Sequence, residues 1–481
     1  MSGVFYYKGV FFFYYIPNMK NLFVAITLFF LGIPFAQSVT AQNYQEVAGN
    51  WEGTIQITGQ NLTTNFTFSF LDGELDGTID IPQQNAYNLP VEFTRMNGDS
   101  LLFQFQTGTG PATFKGEWNR DAGTISGTFE QMDMSYPFSI KKREGNQVNE
   151  RNLAGGEEII IQTRAGQVSG TLQLADEPAP IVILLTGSGS QDRDETVAGF
   201  KIFAQIADSL SKNGYSSFRY DDRGVGRSTG ETDATLFDLS DDLLDILVHL
   251  EDEYPDQITK TILLGHSQGG LVSVISAVNK NVDGVILMGS PFLPGDEVIN
   301  HQIKAISESQ GIAEEVVEQN LEFQERIYEV IRNEDDWDDV EQDLYDRLEA
   351  QINELPEEQR EALGDMNSFI RSQINRQLAA AKTEWFKSFI EYNPENDISN
   401  LDIPMLALFG EKDTQVILGP NREKAEQLRD EAELLMQIVE IESANHLFQL
   451  ANSGLPSEYG MLEKEFAPGF VEAMIEWLNS L

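Results

Sequence analysis

Gly265-His266-Ser267-Gln268-Gly269 sets one serine between two glycines, each separated from it by a single residue. A serine hydroxyl attacks a carbonyl carbon only when it stands clear of the backbone and a base takes its proton. The G-x-S-x-G spacing meets the first need, because small neighbours leave room for a sharp, strained turn between a strand and a helix. The flanks agree with that geometry. Lys260-Thr261-Ile262-Leu263-Leu264 reads as a buried strand entering the turn, and Gly270-Leu271-Val272-Ser273-Val274-Ile275-Ser276-Ala277 as the helix leaving it.

The second need is a base, and the chain offers four histidines. His266 lies beside the serine, with its ring expected to point away from the hydroxyl. His249 falls in the acidic helical stretch Asp241–Glu253, and His301 opens a charged insertion. These three read as surface or packing histidines. His446 follows the strand-like run Leu434–Ile441, inside Ser443-Ala444-Asn445-His446-Leu447-Phe448. A loop at a strand end can reach across to a nucleophile, so His446 is the expected base. The expected acid is Asp413, just past the apolar strand Met405–Phe409 and a glycine turn, with Glu411 as its competitor.

A tetrahedral intermediate also needs backbone N–H groups aimed at its oxyanion. One is expected from Gln268, the residue after the serine. The other is expected from Ser188, with Gly189 as alternative, where the strand Ile181-Val182-Ile183-Leu184-Leu185 runs into Thr186-Gly187-Ser188-Gly189.

Several segments together resemble the EstD-type bacterial esterases. They are Thr186-Gly187-Ser188-Gly189-Ser190-Gln191-Asp192-Arg193-Asp194, Arg219-Tyr220-Asp221-Asp222-Arg223-Gly224-Val225-Gly226-Arg227-Ser228, the His-Ser-Gln-Gly-Gly elbow, and Gly410-Glu411-Lys412-Asp413. Those enzymes are similar to the serine aminopeptidase and monoacylglycerol-lipase branch of the α/β-hydrolases, in which the chain order is also serine, acid, histidine. The resemblance spans roughly Glu157 to Leu481. It implies an α/β-hydrolase fold, carboxylic ester hydrolysis and an N-terminal β-domain. Thr186 departs from the pattern, because many hydrolases have histidine before that glycine. Arg223 is expected to pin neighbouring loops by charge-assisted bonds.

These residues must be positioned by 481 residues carrying a formal charge of −45, from 77 acidic and 32 basic side chains. Such a surface repels nucleic acid and anionic membranes. With no cysteine there is no disulfide and no thiol chemistry, and no histidine cluster points to a metal. No cofactor is expected. Residues 1–41 read as an export signal: Lys20, the apolar run Leu22–Phe35, then Val39-Thr40-Ala41 before the cut, with Met19 the expected start of translation. After its removal no stable membrane insertion is expected, and the mature protein belongs to the periplasm or the exterior.

Residues 43–142 alternate in period two between glycine and Asp-Gly turns such as Leu71-Asp72-Gly73, which predicts an antiparallel barrel or sandwich. Residues 143–156 read as a linker. The catalytic domain, 157–481, should open with a hairpin, Glu158–Gln162 and Val168–Leu174, and continue as alternating strands and helices around a mostly parallel sheet. At about 291–400 a helical, acidic cap interrupts it, with helices expected over Asp296–Gln310, Glu314–Asn333 and Val340–Leu355. Phe323, Tyr328, Trp337, Tyr345, Trp385, Phe386 and Phe389 either line a substrate pocket or fill the core of that cap. The expected function is hydrolysis of small carboxylic esters of short or medium acyl chain through an acyl-enzyme. An exported serine aminopeptidase is the alternative, and a non-catalytic binding role for the β-domain a third possibility.

Overall fold

The computed structural model describes Val47, residues 49–142 apart from the turn positions 58–59, 72–73, 82–85, 98, 108–109, 121 and 132–133, and residues 155–355, 357, 360 and 365–481. The expected export signal, most of the expected linker and the Asp72-Gly73 turn lie outside the described residues. Two compact units make up the structure, one centred on the N-terminal strands and the other on the large sheet.

The first unit closes into a barrel of eight strands: β1 (Gly49–Ile57), β2 (Gln60–Leu71), β3 (Glu74–Ile81), β4 (Ala86–Asn97), β5 (Ser100–Thr107), β6 (Gly110–Asn119), β7 (Thr124–Gln131) and β8 (Met134–Lys142). Each strand is antiparallel to the next, and β8 returns to β1 with Phe138 opposite Ile55. Period-two alternation left barrel and sandwich open, and closure decides for the barrel. Along β5, Leu101, Phe103 and Phe105 are buried while Leu102 and Gln104 are half-buried. An eight-stranded barrel is just wide enough for its own side chains, and here aromatic rings meet inside it. Phe103 stacks on Phe114 at 4.8 Å, and Phe66 meets Phe114 edge-on at 5.3 Å.

The second unit is built on an eight-stranded sheet in the order β18-β17-β16-β15-β11-β14-β10-β9. Its members are β9 (Glu157–Thr163), β10 (Gly166–Gln173), β11 (Ala179–Leu185), β14 (Ser216–Tyr220), β15 (Ile258–His266), β16 (Gly284–Met288), β17 (Met405–Gly410) and β18 (Met436–Ile441). The short pair β12 (Thr196–Val197) and β13 (Phe200–Lys201) stands apart. β9 and β10 form the expected antiparallel hairpin, and β10 runs antiparallel to β14. The other pairings are parallel. The parallel strands are near-continuous apolar runs, as burial on both faces requires. β16 and β17 are buried at every position.

Helices pack on these strands, among them α1 (Ile202–Lys212), α3 (Gln268–Asn279), α10 (Leu418–Glu431) and α11 (Phe470–Leu478). Between α1 and α3 lies α2 (Leu236–Glu253), started one turn earlier than the acidic run suggested by a capping box between Thr235 and Asp238. Between β16 and β17 the chain departs into the helices α4 (Gly295–Ser309), α5 (Glu314–Asn333), α6 (Asp338–Asn353), α7 (Met366–Leu378), α8 (Glu384–Glu391) and the short α9 (Glu395–Ile398). Helix α5 buries Val316, Val317, Phe323, Ile327, Tyr328 and Ile331, the three-and-four spacing of one helix face.

Candidate active site

The turn after β15 has the strained geometry that the glycines allow. Ser267 sits at φ 52°, ψ −121°, a region that costs about 1–3 kcal/mol for a residue with a Cβ. Its N–H donates to the Met288 carbonyl at 2.9 Å, which ties the turn to β16. A Cβ on Gly269 would lie 2.2 Å from the Leu185 carbonyl oxygen, and one on Gly265 would lie 2.1 Å from that of Gly269. Both contacts are with backbone, so neither position admits a larger residue without moving β11 or the turn. Ser267 is half-buried while the residues on either side of it are buried.

The structure brings Asp413 and His446 together. His446 Nδ1 meets Asp413 Oδ2 at 2.7 Å, and both residues are about 95% buried, at 4% and 5% exposure. The other oxygen, Oδ1, accepts from the N–H groups of Gln415 at 2.7 Å and Val416 at 2.9 Å, so the carboxylate cannot rotate. Gly289, at φ +54°, turns the chain beside the pair, and a Cβ there would stand 3.5 Å from His446 Nδ1 and 3.6 Å from Asp413 Oδ2. The His446 loop is shaped by Asn445, whose Oδ1 accepts from Leu447 N and Gln449 N. Glu411, the competing acid, instead accepts from Ser443 N at 2.7 Å and holds the start of that loop. Among the described residues no hydrogen bond joins Ser267 Oγ to His446, a contact that is often long in free enzymes and tightens with substrate. The ring of His266, the residue before Ser267, has its centroid 4.7 Å from that of His446.

The loop after β11 passes close to the serine, since a Cβ on Gly187 would lie 3.5 Å from Ser267 Cβ. Its bracing differs from a histidine-based one. Thr186 Oγ1 donates to Asp222 Oδ1 at 2.7 Å, and Gln191 N donates to Asp222 Oδ2 at 2.8 Å. Further on, Arg193 binds Asp221 through Nη2 at 2.6 Å, and Arg219 Nε donates to Asp194 at 2.8 Å. Gly187 N–H is taken by Glu195 Oε1 at 2.7 Å, which removes it as a donor to an oxyanion. Gln268 is the first residue of α3, where an N–H has no acceptor within the helix. Arg223 pins loops as expected, through Asp242 at 2.5 Å and the Asp238 carbonyl at 2.9 Å.

Asp222 gives this bracing a pH dependence. Burial pushes its carboxyl up to about 7, helped by the charges of Glu195 and Asp221 and opposed by the Gln191 and Thr186 bonds. A carboxyl raised in the folded state favours folding fully below its unfolded value of 3.8, and that contribution is lost as pH rises through about 7. Asp222→Asn should therefore abolish one component of the stability decline between pH 4 and 7. Denaturant midpoints of wild type and variant across that range should converge at one end and diverge at the other; parallel curves would refute the assignment.

His266 corrects the reading of a surface or packing histidine. It is 2% exposed, with Nδ1 2.7 Å from Glu195 Oε1 and Nε2 2.9 Å from the His446 carbonyl oxygen. Its position in β15 turns the ring inward, away from the hydroxyl, but into a polar network. His249 and His301 are half-buried on α2 and α4. Among the aromatic candidates, Phe323 and Tyr328 fill the cap, whereas Trp385 reaches the elbow. Its Nε1–H donates to Gln268 Oε1 at 2.5 Å, and its ring stacks on Phe389 at 5.7 Å. Asp233 accepts from Glu384 N and Trp385 N, fixing the start of α8. Glu195 carried no signal in periodicity; its sign is a backbone φ of 46° on a buried non-glycine residue.

With this geometry in view, known proteins resemble the chain in the same sense. Residues 198–351 match the family described as serine aminopeptidase, S33. Esterase EstD of Thermotoga maritima is 25% identical over 393 residues, covering 79% of each chain. Among solved structures, the Pyrococcus furiosus esterase Pf2001 is 17% identical with a TM-score of 0.42, covering 70% of this chain and 95% of its own. Est1E from Butyrivibrio proteoclasticus is 15% identical with a TM-score of 0.36, covering 68% and 100%. The sheet order and the strained turn after β15 give this chain the architecture expected from its sequence, and along 79% of its length it is similar to the esterase EstD.

Proposed function

We propose that the chain hydrolyses carboxylic esters of short or medium acyl chain through an acyl-enzyme on Ser267. The observation that carries this is the buried Asp413–His446 hydrogen bond beside the strained turn that presents Ser267. His446 Nε2 takes the Ser267 proton as Oγ bonds to the ester carbonyl carbon. The tetrahedral oxyanion is held by the N–H groups of Gln268 and Ser188, and its collapse breaks the C–O bond as His446 returns the proton to the leaving alcohol. Water, deprotonated by His446, then releases the acid and restores the serine. Asp413 keeps the proton of His446 on Nδ1 and stabilises the imidazolium. EstD, the relative that spans both parts of the chain, is named an esterase, which favours this leaving group.

The family description names an aminopeptidase, so the test pairs p-nitrophenyl esters with aminoacyl anilides. Esters should be turned over far faster. Efficiency should rise over the shortest acyl chains by at most ~0.8 kcal/mol per methylene and fall for long ones. Preference for anilides, lost when their amine is acetylated, would replace this reading with the aminopeptidase. The apolar run Leu22–Phe35 and Val39-Thr40-Ala41 support export to the periplasm or exterior. Mass spectrometry of protein from its native host should find an N-terminus near Gln42, and an intact Met1 in the membrane fraction would speak for a retained anchor.

A further inference from the structure

We propose that His266 and Glu195 form a buried charged pair that locks the oxyanion loop to the loop carrying His446, both acting as positioning residues. The proposal rests on the esterase reading for its kinetic consequence but not for its structural one.

Three bonds run in series across the site. Gly187 N–H donates to Glu195 Oε1 at 2.7 Å, His266 Nδ1 meets the same oxygen at 2.7 Å, and His266 Nε2 meets the His446 carbonyl at 2.9 Å. The acceptors fix the protons. A carbonyl oxygen only accepts, so Nε2 carries a hydrogen. Glu195 Oε1 already accepts the Gly187 N–H, and with Glu195 as a carboxylate, which only accepts, the hydrogen of the second contact belongs to Nδ1. His266 is then the imidazolium, and Glu195 its counter-ion. Glu195 Oε2 has no partner among the described residues, so Oε1 alone carries the contacts of this carboxyl group. Burial pushes the imidazole towards the neutral form, but the Glu195 charge and hydrogen bond, the His446 carbonyl and the Asp413 charge outweigh it and leave it raised. The titratable groups that face the pair are Asp413, His446 and, through Glu195, Asp222.

The cost of building this pair points to its use. Both residues are 2% exposed, and Glu195 holds a left-handed backbone at φ 46°. Gly187 is confined as well, since a Cβ there would lie 2.9 Å from Glu195 Oε1. Strain of this kind persists where surrounding structure imposes it, commonly at functional sites. What the three bonds set is the position of two backbones: the strand end that precedes Ser188 N–H, and the peptide of His446. Glutamine at 195 cannot reproduce them. It lacks the charge that keeps both ring nitrogens protonated, so one of the three bonds must break.

The first measurement is the proton count of His266, from the 15N spectrum of histidine-labelled enzyme, assigned by single substitutions among the chain's four histidines. At neutral pH both ring nitrogens should carry hydrogen in wild type, and one of them should lose it in Glu195→Gln. The second is kinetic. Glu195→Gln should lower kcat on a p-nitrophenyl ester about 10²-fold with KM little changed, because a displaced oxyanion donor is missed mainly in the transition state. A neutral, singly protonated His266 in wild type overturns the charged pair, whether or not the variant folds. An unchanged kcat in folded Glu195→Gln overturns the positioning role. Should wild type cleave no ester, the function proposed above fails, while the proton count still decides the pair.

Discussion

Ser267→Ala should remove ester turnover almost completely, by about 10⁶-fold in kcat, and abolish labelling by a fluorophosphonate probe. The fold should survive, because alanine differs by one oxygen at a half-buried position whose backbone N–H still reaches Met288. Residual hydrolysis above water is still expected, since the proposed oxyanion donors, the N–H groups of Gln268 and Ser188, do not depend on the hydroxyl. Adding His446→Ala should do little further damage, because members of a triad act as one unit and their losses do not add. Labelling of wild type at any other serine would remove Ser267 from the mechanism.

Asp413→Asn is the more discriminating test, because the hydrogen bonds around it leave the amide no choice of orientation. Oδ1 accepts from two backbone N–H groups, so an asparagine must put its oxygen there and its NH₂ where Oδ2 was. That NH₂ faces His446 Nδ1, which must then accept rather than donate. The imidazole proton moves to Nε2, the atom meant to receive the serine proton. Loss of about 10⁴-fold at neutral pH follows, the size seen when a protease triad adopts the wrong tautomer. Thermal stability should change far less than activity. An Asp413→Asn enzyme of near wild-type rate would hand the acid's role to Glu411, which the Ser443 contact argues against.

The residues proposed to bear the chemistry were legible because their constraints are local. A strained serine needs glycines within two positions, and a strand end needs a turn, so Ser267, Asp413 and the loop at Thr186–Gly189 announce themselves in short windows. The cap helices were legible for a similar reason: the apolar stripe of α5 repeats every three or four residues. The ends of α4 and α6 shifted by one or two residues while those of α5 did not. Outside the cap, α2 starts well before the acidic run, at the capping box of Thr235 and Asp238, because capping depends on single side chains. Barrel and sandwich share the same alternation, and only the long-range pairing of β1 with β8 separates them. His266 was misread because its partners lie 71 and 180 residues away, at distances where no periodicity carries information. The link between Trp385 and Gln268 was hidden for the same reason, across 117 residues.

The pairing of β16 with β17 has a consequence for how such a molecule can change over generations. Their register, with Val285 beside Met405 and Met288 beside Leu408, is kept although the whole cap lies between them. Loop-closure entropy grows only with the logarithm of length, so holding those strands together across about a hundred residues instead of ten costs about 2 kcal/mol. One contiguous segment can therefore be lengthened, shortened or replaced while the strands that carry serine, acid and base keep their order. Inheritance of the reaction and inheritance of the substrate range are separable here. What a substituted cap must preserve is small: a seat on Asp233 and a donor for the Gln268 side chain.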